Sequence, residues 1–146
     1  MRPATQSRHL LAVLPLPVGL LLLVGLFVQA AAAEERMNAE EFEAYVTGRT
    51  IYSSGGDGEY GAEQYLSGRR VIWTFLDGKC SEGRWYGEDG LICFVYDFDP
   101  TPQCWSFWRT PGGILARFQN DPAQTELHEL RQSEGPLYCL GPEVGV

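Results

Sequence analysis

The chain has 146 residues, of which 11 are basic and 19 are acidic, so its formal net charge at pH 7 is −8. An acidic surface repels the phosphates of nucleic acids and of anionic lipids, and we therefore expect no nucleic-acid partner. The length is that of a single domain that can bury a core of its own.

The first 33 residues have the layout of a signal peptide. Arg2 and Arg8 precede an apolar run at residues 10–28, and the alanines at residues 30–33 offer a cleavage site. Cleavage there leaves residues 34–146 as one domain with a net charge of −10, because both arginines are lost. Alternatively, the 19-residue run is retained as a membrane anchor. We expect a periplasmic or secreted protein that meets the membrane only through an uncleaved signal.

The first predicted element after the leader is a helix at residues 37–48. Asn38 is a suitable N-cap, and Glu41 follows at the spacing of a capping box. Phe42 begins an apolar side at helical spacing. Gly48 is a typical helix end.

Beyond the helix the hydrophobic pattern alternates, which is typical of strands joined by short turns. We predict a loop at the glycine-rich residues 53–61. Residues 125–130 are compatible with a helix or a strand, and we favour a strand that pairs with the edge of the preceding sheet. Strands are predicted at residues 50–53, 59–66, 71–76, 80–86, 91–98, 104–109, 114–118 and 137–140. The predicted fold is mainly β (α+β by strict count), with an N-terminal helix followed by an antiparallel meander that forms a curled sheet or a small barrel.

Aromatic residues are abundant after the leader, with four Trp, seven Tyr and six Phe. Rings on one side of a sheet usually form its core, and the alternative is that they line a cavity for an apolar ligand. The candidate ligand-binding residues are the four tryptophans, Trp73, Trp85, Trp105 and Trp108. Alternation places Trp105 and Trp108 on opposite faces of one strand, so at most one of them is core in a one-sided sheet.

Four cysteines lie beyond the leader, at positions that match no metal-binding spacing. We expect two disulfides, because an exported chain matures where thiols oxidise. Cys93 and Cys104 flank a predicted hairpin turn, and pairing across it brings their side chains to the same face. Cys80 would then pair with Cys139 and hold the C-terminal segment to the meander.

The patterns of common catalytic and metal sites are missing from this sequence. After cleavage His128 would be the only histidine, which leaves one candidate base for a nucleophilic triad. Asp97 and Asp99 resemble the start of a calcium loop but lack its later glycine and glutamate. The glycine-rich residues 54–58 lack the lysine of a phosphate-binding loop. We therefore predict no catalytic residue, no metal and no cofactor.

Six short motifs run through the middle of the chain. They are T-G-R-T-I at residues 47–51, Y-G-A-E-Q-Y at 60–65, G-R-R-V-I-W at 68–73, G-K-C-S-E-G-R-W-Y at 78–86, I-C-F-V-Y at 92–96 and C-W at 104–105. Together they resemble a family of short exported bacterial proteins of unknown function, over residues 38–118. The resemblance implies the helix-then-meander layout and the cell envelope as location, and it implies no activity.

Several classes of function remain open at this point. We favour a non-catalytic exported envelope protein that binds a small ligand or a protein partner, and a purely structural envelope role is also open. Within the binding class, an inhibitor of a basic envelope-attacking enzyme such as lysozyme would suit the negative charge. The alternative is a small hydrolase that uses carboxylates alone, which needs two acids facing each other across a cleft.

Overall fold

The computed structural model describes residues 34–56, 58–121, 123 and 125–140. The predicted signal peptide lies outside these residues. The elements in the described part are β1 (Glu35–Arg36), α1 (Ala39–Val46), β2 (Thr50–Gly55), β3 (Gly58–Leu66), β4 (Arg70–Thr74), β5 (Cys80–Glu88), β6 (Leu91–Tyr96), β7 (Asp99–Thr110), β8 (Gly113–Phe118) and β9 (Glu126–Ser133). None of the helices in this part of the chain has the length and apolar character needed to cross a membrane.

Strands β2 to β9 form a closed antiparallel barrel. Each strand pairs with the next one along the chain, and β9 pairs with both β8 and β2, which closes the sheet. The short strand β1 adds to the side of β7, where Glu35 lies opposite Arg109. The prediction of a mainly β fold with a leading helix is confirmed. Of the two predicted arrangements, a curled sheet or a small barrel, the sheet adopts the barrel.

Helix α1 begins with the predicted capping box. The Asn38 side chain accepts a hydrogen bond from the backbone N–H of Glu41 at 2.9 Å, and the backbone N–H of Asn38 donates to Glu41 Oε2 at 2.9 Å. These bonds satisfy two of the backbone groups left free at a helix start. The chain leaves the helix through Gly48, whose φ of +81° is readily adopted by glycine.

The helix closes one end of the barrel. Phe42 is fully buried and packs inside a group of rings, with ring centroids 4.3 Å away for Phe107, 5.1 Å for Trp85 and 5.6 Å for Tyr65. Glu43 fixes the helix from outside through an ion pair of 2.8 Å with Arg69, in the turn after β3. The helix therefore contributes the central side chain of the core at this end.

The three largest differences from the sequence predictions concern one loop and two strands. The predicted loop at residues 53–61 is wrong, because β2 and β3 extend into a tight hairpin and pair as far as Gly55 and Gly58. The segment 137–140 is not a strand. Strand β7 begins at Asp99, five residues before its predicted start at residue 104. The strand alternative for the C-terminal segment is confirmed by β9.

Both predicted disulfides are present. Cys93 and Cys104 are direct partners across β6 and β7, with Cα atoms 4.0 Å apart. Cys80 is bonded to Cys139, with Cα atoms 5.6 Å apart. The last described segment is also held by the backbone N–H of Leu140, which donates to the carbonyl of Gly78 at 2.7 Å.

Candidate functional site

The end of the barrel away from the helix contains an open cavity of about 300 Å³. Because strands alternate inward and outward side chains, every second residue of each strand faces the interior. The rings of Tyr65, Phe94 and Phe107 pack on Phe42 and also line the cavity, so they form its floor. The cavity is the part of the barrel interior that the side chains leave unfilled.

Aromatic side chains surround the mouth of the cavity. Tyr60, Phe75 and Phe98 line it and are 42%, 55% and 58% exposed. The Trp73 ring packs against two of them, 5.9 Å from Tyr60 and 5.2 Å from Phe75 by ring centroids. Phe98 stacks on Tyr96 at 5.5 Å. These rings present a large apolar surface to solvent at one place.

Two glycines leave room for the rings of the cavity wall. A side-chain carbon at Gly61 would collide with the Trp73 ring and would stand 2.7 Å from the carbonyl oxygen of Thr74. At Gly83 such a carbon would stand 2.8 Å from the Tyr96 ring. The rings thus lie directly on bare backbone, which only glycine permits at this distance.

Glu63 is a buried carboxylate on the cavity wall. It is 7% exposed, and it stands opposite Ile51 and Trp73 in the neighbouring strands. Its Oε1 accepts a hydrogen bond from the Tyr96 hydroxyl at 2.9 Å, and its Oε2 accepts one from the Tyr65 hydroxyl at 3.3 Å. Burial raises the pKa of Glu63 to about 8, although both hydrogen bonds oppose that shift.

A second carboxylate, Glu129 on β9, also lines the cavity. It accepts hydrogen bonds from the Tyr45 hydroxyl at 2.7 Å, from the backbone N–H of Ile114 at 3.0 Å and from Gln132 Nε2 at 2.7 Å. Burial, together with the bond to Glu129, raises the pKa of Tyr45 to about 12. Glu129 therefore joins the helix to the barrel.

The charged side chains on the cavity wall all have the same sign. Glu63 and Glu129 are acidic, and none of the described residues on the wall is Lys, Arg or His. The nearest arginines to Glu129 are Arg49 and Arg109, which stand over the Tyr45 ring at 5.3 and 4.5 Å and are not among the described residues that line the cavity. The cavity is thus apolar and aromatic with a negative character.

The four candidate tryptophans occupy three different environments. Trp73 and Trp105 line the cavity. Trp85 is buried in the core against Phe42. Trp108 lies on the outer face of β7, where the guanidinium groups of Arg36 and Arg117 stand over its ring.

Sequence reasoning did not single out Glu63. The sequence signal that could have found it is strand alternation, which places Glu63 on the same face of β3 as Gly61 and Tyr65. A buried carboxylate requires hydrogen-bond partners, and the two tyrosine hydroxyls meet that requirement.

Two other residues that the sequence analysis considered, Asp99 and His128, lie in a turn and on an exposed strand face. Asp99 accepts a hydrogen bond from the backbone N–H of Thr101 at 2.9 Å, which is ordinary turn chemistry and lowers the pKa of Asp99. His128 is exposed on β9. Within the described ranges, no three metal-ligating side chains come together.

Comparison with known proteins gives no match to a family model, to a curated protein or to a solved structure.

Proposed function

We propose that this protein is a non-catalytic exported binding module that holds a small apolar ligand in the open end of its barrel. The observation that carries the proposal is the cavity of about 300 Å³ with exposed aromatic rings at its mouth. Small-molecule sites have volumes of about 300–1,000 Å³ and are lined mainly by apolar and aromatic groups with a few polar ones. This cavity has that composition, and its volume lies at the lower end of that range.

The arrangement of the rings supports a binding role over a packing role. At the helix end, Phe42 fills the barrel, and no comparable side chain among the described residues fills the other end. Exposed aromatic rings at one place on a soluble surface usually mark an interaction site. A ligand that enters the cavity would cover Tyr60, Phe75 and Phe98 and remove their surface from water.

Export to the periplasm or the cell exterior is part of the same proposal. Two disulfides connect the described cysteines, and disulfides persist in oxidising compartments. The leader pattern at residues 1–33 and the resemblance to exported proteins favour the same location.

The proposal is tested with N-phenyl-1-naphthylamine, a neutral apolar probe that fluoresces when it leaves water. We expect saturable fluorescence with the wild type. Gln103→Trp places a large ring at the cavity wall and should abolish the signal, whereas Thr101→Trp, exposed on the same strand, should leave it unchanged. Absence of saturable binding by the wild type, or equal binding by both variants, would contradict the proposal.

A carboxylate-dependent hydrolase is the second candidate, and one observation favours it. Glu63 and Glu129 line the same cavity, and a raised pKa is typical of a general acid. Against it, the oxygens of both carboxylates already accept hydrogen bonds from the protein. Release of 4-methylumbelliferone from a panel of its glycosides by the wild type, and not by Glu63→Gln, would establish hydrolysis.

Inhibition of a basic enzyme rests on the negative net charge alone. Protection of a bacterial cell-wall suspension from lysozyme at low salt would support it, and unchanged lysis would dismiss it.

A further inference from the structure

We propose that the ligand carries a positive charge, and that its cationic nitrogen lies among the aromatic rings of the cavity with Glu63 as its counter-ion. This inference rests on the proposed binding function and adds the chemical class of the ligand.

The charge of the wall selects against anions. Glu63 and Glu129 are the charged side chains among the described residues of the wall. Arg49 and Arg109 stand over the ring of Tyr45, which donates to Glu129, whereas the recorded partners of Glu63 are tyrosine hydroxyls. A neutral apolar ligand requires no carboxylate, and burying one is costly unless a partner of opposite charge is present. A cationic ligand supplies the charge that the fold lacks.

The rings provide the second part of a cation site. The faces of aromatic rings attract cations, and pockets that combine several rings are the usual recognition sites for quaternary ammonium groups. Trp73, Tyr60 and Phe75 form a mutually contacting group, with centroid separations of 5.2 to 5.9 Å. Because Trp73 is the cross-strand partner of Glu63, the ring group and the carboxylate are neighbours on the same wall.

The groups around Glu63 leave its charge uncompensated. Tyr65 from its own strand and Tyr96 from β6 donate hydrogen bonds to it. Tyr60 acts electrostatically on Tyr96, and Glu129 on β9 acts on Tyr65. All of these are neutral or negative, so burial favours the protonated form of Glu63, and a bound cation would favour the ionised form.

Binding of a cation should therefore release a proton from Glu63 to the solvent. With a pKa of about 8 in the free protein, about nine-tenths of the Glu63 side chains hold a proton at pH 7 and about one-tenth at pH 9. The affinity for a permanent cation should rise about tenfold from pH 7 to pH 9. A neutral ligand of the same shape should show no such change.

The test uses two isosteric probes, benzyltrimethylammonium and neopentylbenzene, which differ in charge at one atom. Their affinities are measured by isothermal titration calorimetry at pH 7 and pH 9, in buffers of different ionisation enthalpy so that proton release is counted. We expect the cation to bind at least tenfold more tightly than the neutral probe at pH 9. We also expect close to one proton released per cation bound at pH 7.

Two variants locate the effect. Glu63→Gln should lower the affinity for the cation to that for neopentylbenzene and abolish the pH dependence, with the neutral probe unaffected. Glu82→Gln removes an exposed carboxylate from β5 and matches the net charge of Glu63→Gln at pH 9, where Glu63 is ionised, so it should behave as the wild type. Circular dichroism of each variant confirms that it is folded.

The possible failures are distinguishable. Equal binding of both probes, or a cation preference that persists in Glu63→Gln, would overturn the charge inference and leave the binding function standing. Binding of N-phenyl-1-naphthylamine without any binding of benzyltrimethylammonium would overturn it as well. Absence of saturable N-phenyl-1-naphthylamine binding by the wild type would overturn the proposed function itself.

Discussion

The hydroxyl of Tyr96 on β6 donates a hydrogen bond of 2.9 Å to Oε1 of Glu63 on β3, across the interior of the barrel. Strands β4 and β5 lie between these two strands in the sheet, so the bond is independent of the backbone ladder. It holds a carboxylate at the cavity wall and provides it with no positive charge. Both the stability and the binding properties of the barrel should depend on this acid.

The stability of the protein should fall as the pH rises from about 4.5 to about 8. Burial raises the pKa of Glu63 from 4.5 to about 8, so the folded state retains a proton that the unfolded state loses in that range. The loss of folding stability is absent below pH 4.5 and complete above about pH 8. Its size is several kcal/mol, at about 1.4 kcal/mol for each pKa unit.

The comparison with Glu63→Gln isolates this effect from other titrations. The amide of glutamine does not titrate and can keep hydrogen bonds with both tyrosine hydroxyls. Urea unfolding of both proteins from pH 4.5 to pH 9 should show the wild type losing stability relative to the variant. A constant difference across that range would show that Glu63 is ionised in the folded barrel.

Gly61→Ala should destabilise the barrel and displace Trp73. The added methyl group would meet the Trp73 ring, and overpacking of this kind costs about 1–3 kcal/mol. Gly58→Ala, on the same strand, has open space around the new carbon and should change stability by less than about 0.5 kcal/mol. Chemical denaturation followed by tryptophan fluorescence gives both values, and equal losses would argue against the close contact.

The two disulfides should contribute unequally to stability. The Cys80–Cys139 bond spans 59 residues and the Cys93–Cys104 bond spans 11. In the chain-entropy description these lengths correspond to about 4 and about 3 kcal/mol. Paired replacement by serine and guanidinium unfolding should show the larger loss for the longer loop, and the reverse order would indicate that local packing outweighs chain entropy.

Removal of the Phe42 ring should cost more than removal of the helix cap. Phe42 is fully buried among four rings, and Phe→Ala changes in cores cost about 3–5 kcal/mol. Asn38→Ala removes one capping bond and should cost about 1 kcal/mol. Thermal and denaturant unfolding of both variants gives the comparison, and similar losses would mean that the helix is only loosely packed on the barrel.

Local features of the fold were accessible from the sequence. The capping box of α1 depends on Asn38 and Glu41, three residues apart. The Cys93–Cys104 bond was predictable because the two residues flank one hairpin turn and pairing across it places their side chains on the same face. In contrast, the glycine-rich residues 53–61 resemble a loop. Their strand character comes from pairing within the β2–β3 hairpin, and Ser53 and Ser54 also pair with β9, which is far away in sequence.

The cavity was not predictable in the same way. Alternation places Glu63 on the same face of β3 as Tyr65, but its partner Tyr96 is 33 residues away and reaches it only when the sheet closes. Parity also separates Trp105 from Trp108, and the closed barrel decides that Trp105 is the one that faces inward. Closure of the sheet is thus the nonlocal step that creates the site.

The most direct test of ligand binding in the barrel is the response of the four tryptophan indole N–H signals to N-phenyl-1-naphthylamine, observed by ¹H–¹⁵N correlation spectroscopy. We predict saturable shifts for Trp73 and Trp105, which line the cavity, and little change for Trp108 on the outer face. Four unshifted signals, or a shift confined to Trp108, would contradict the account.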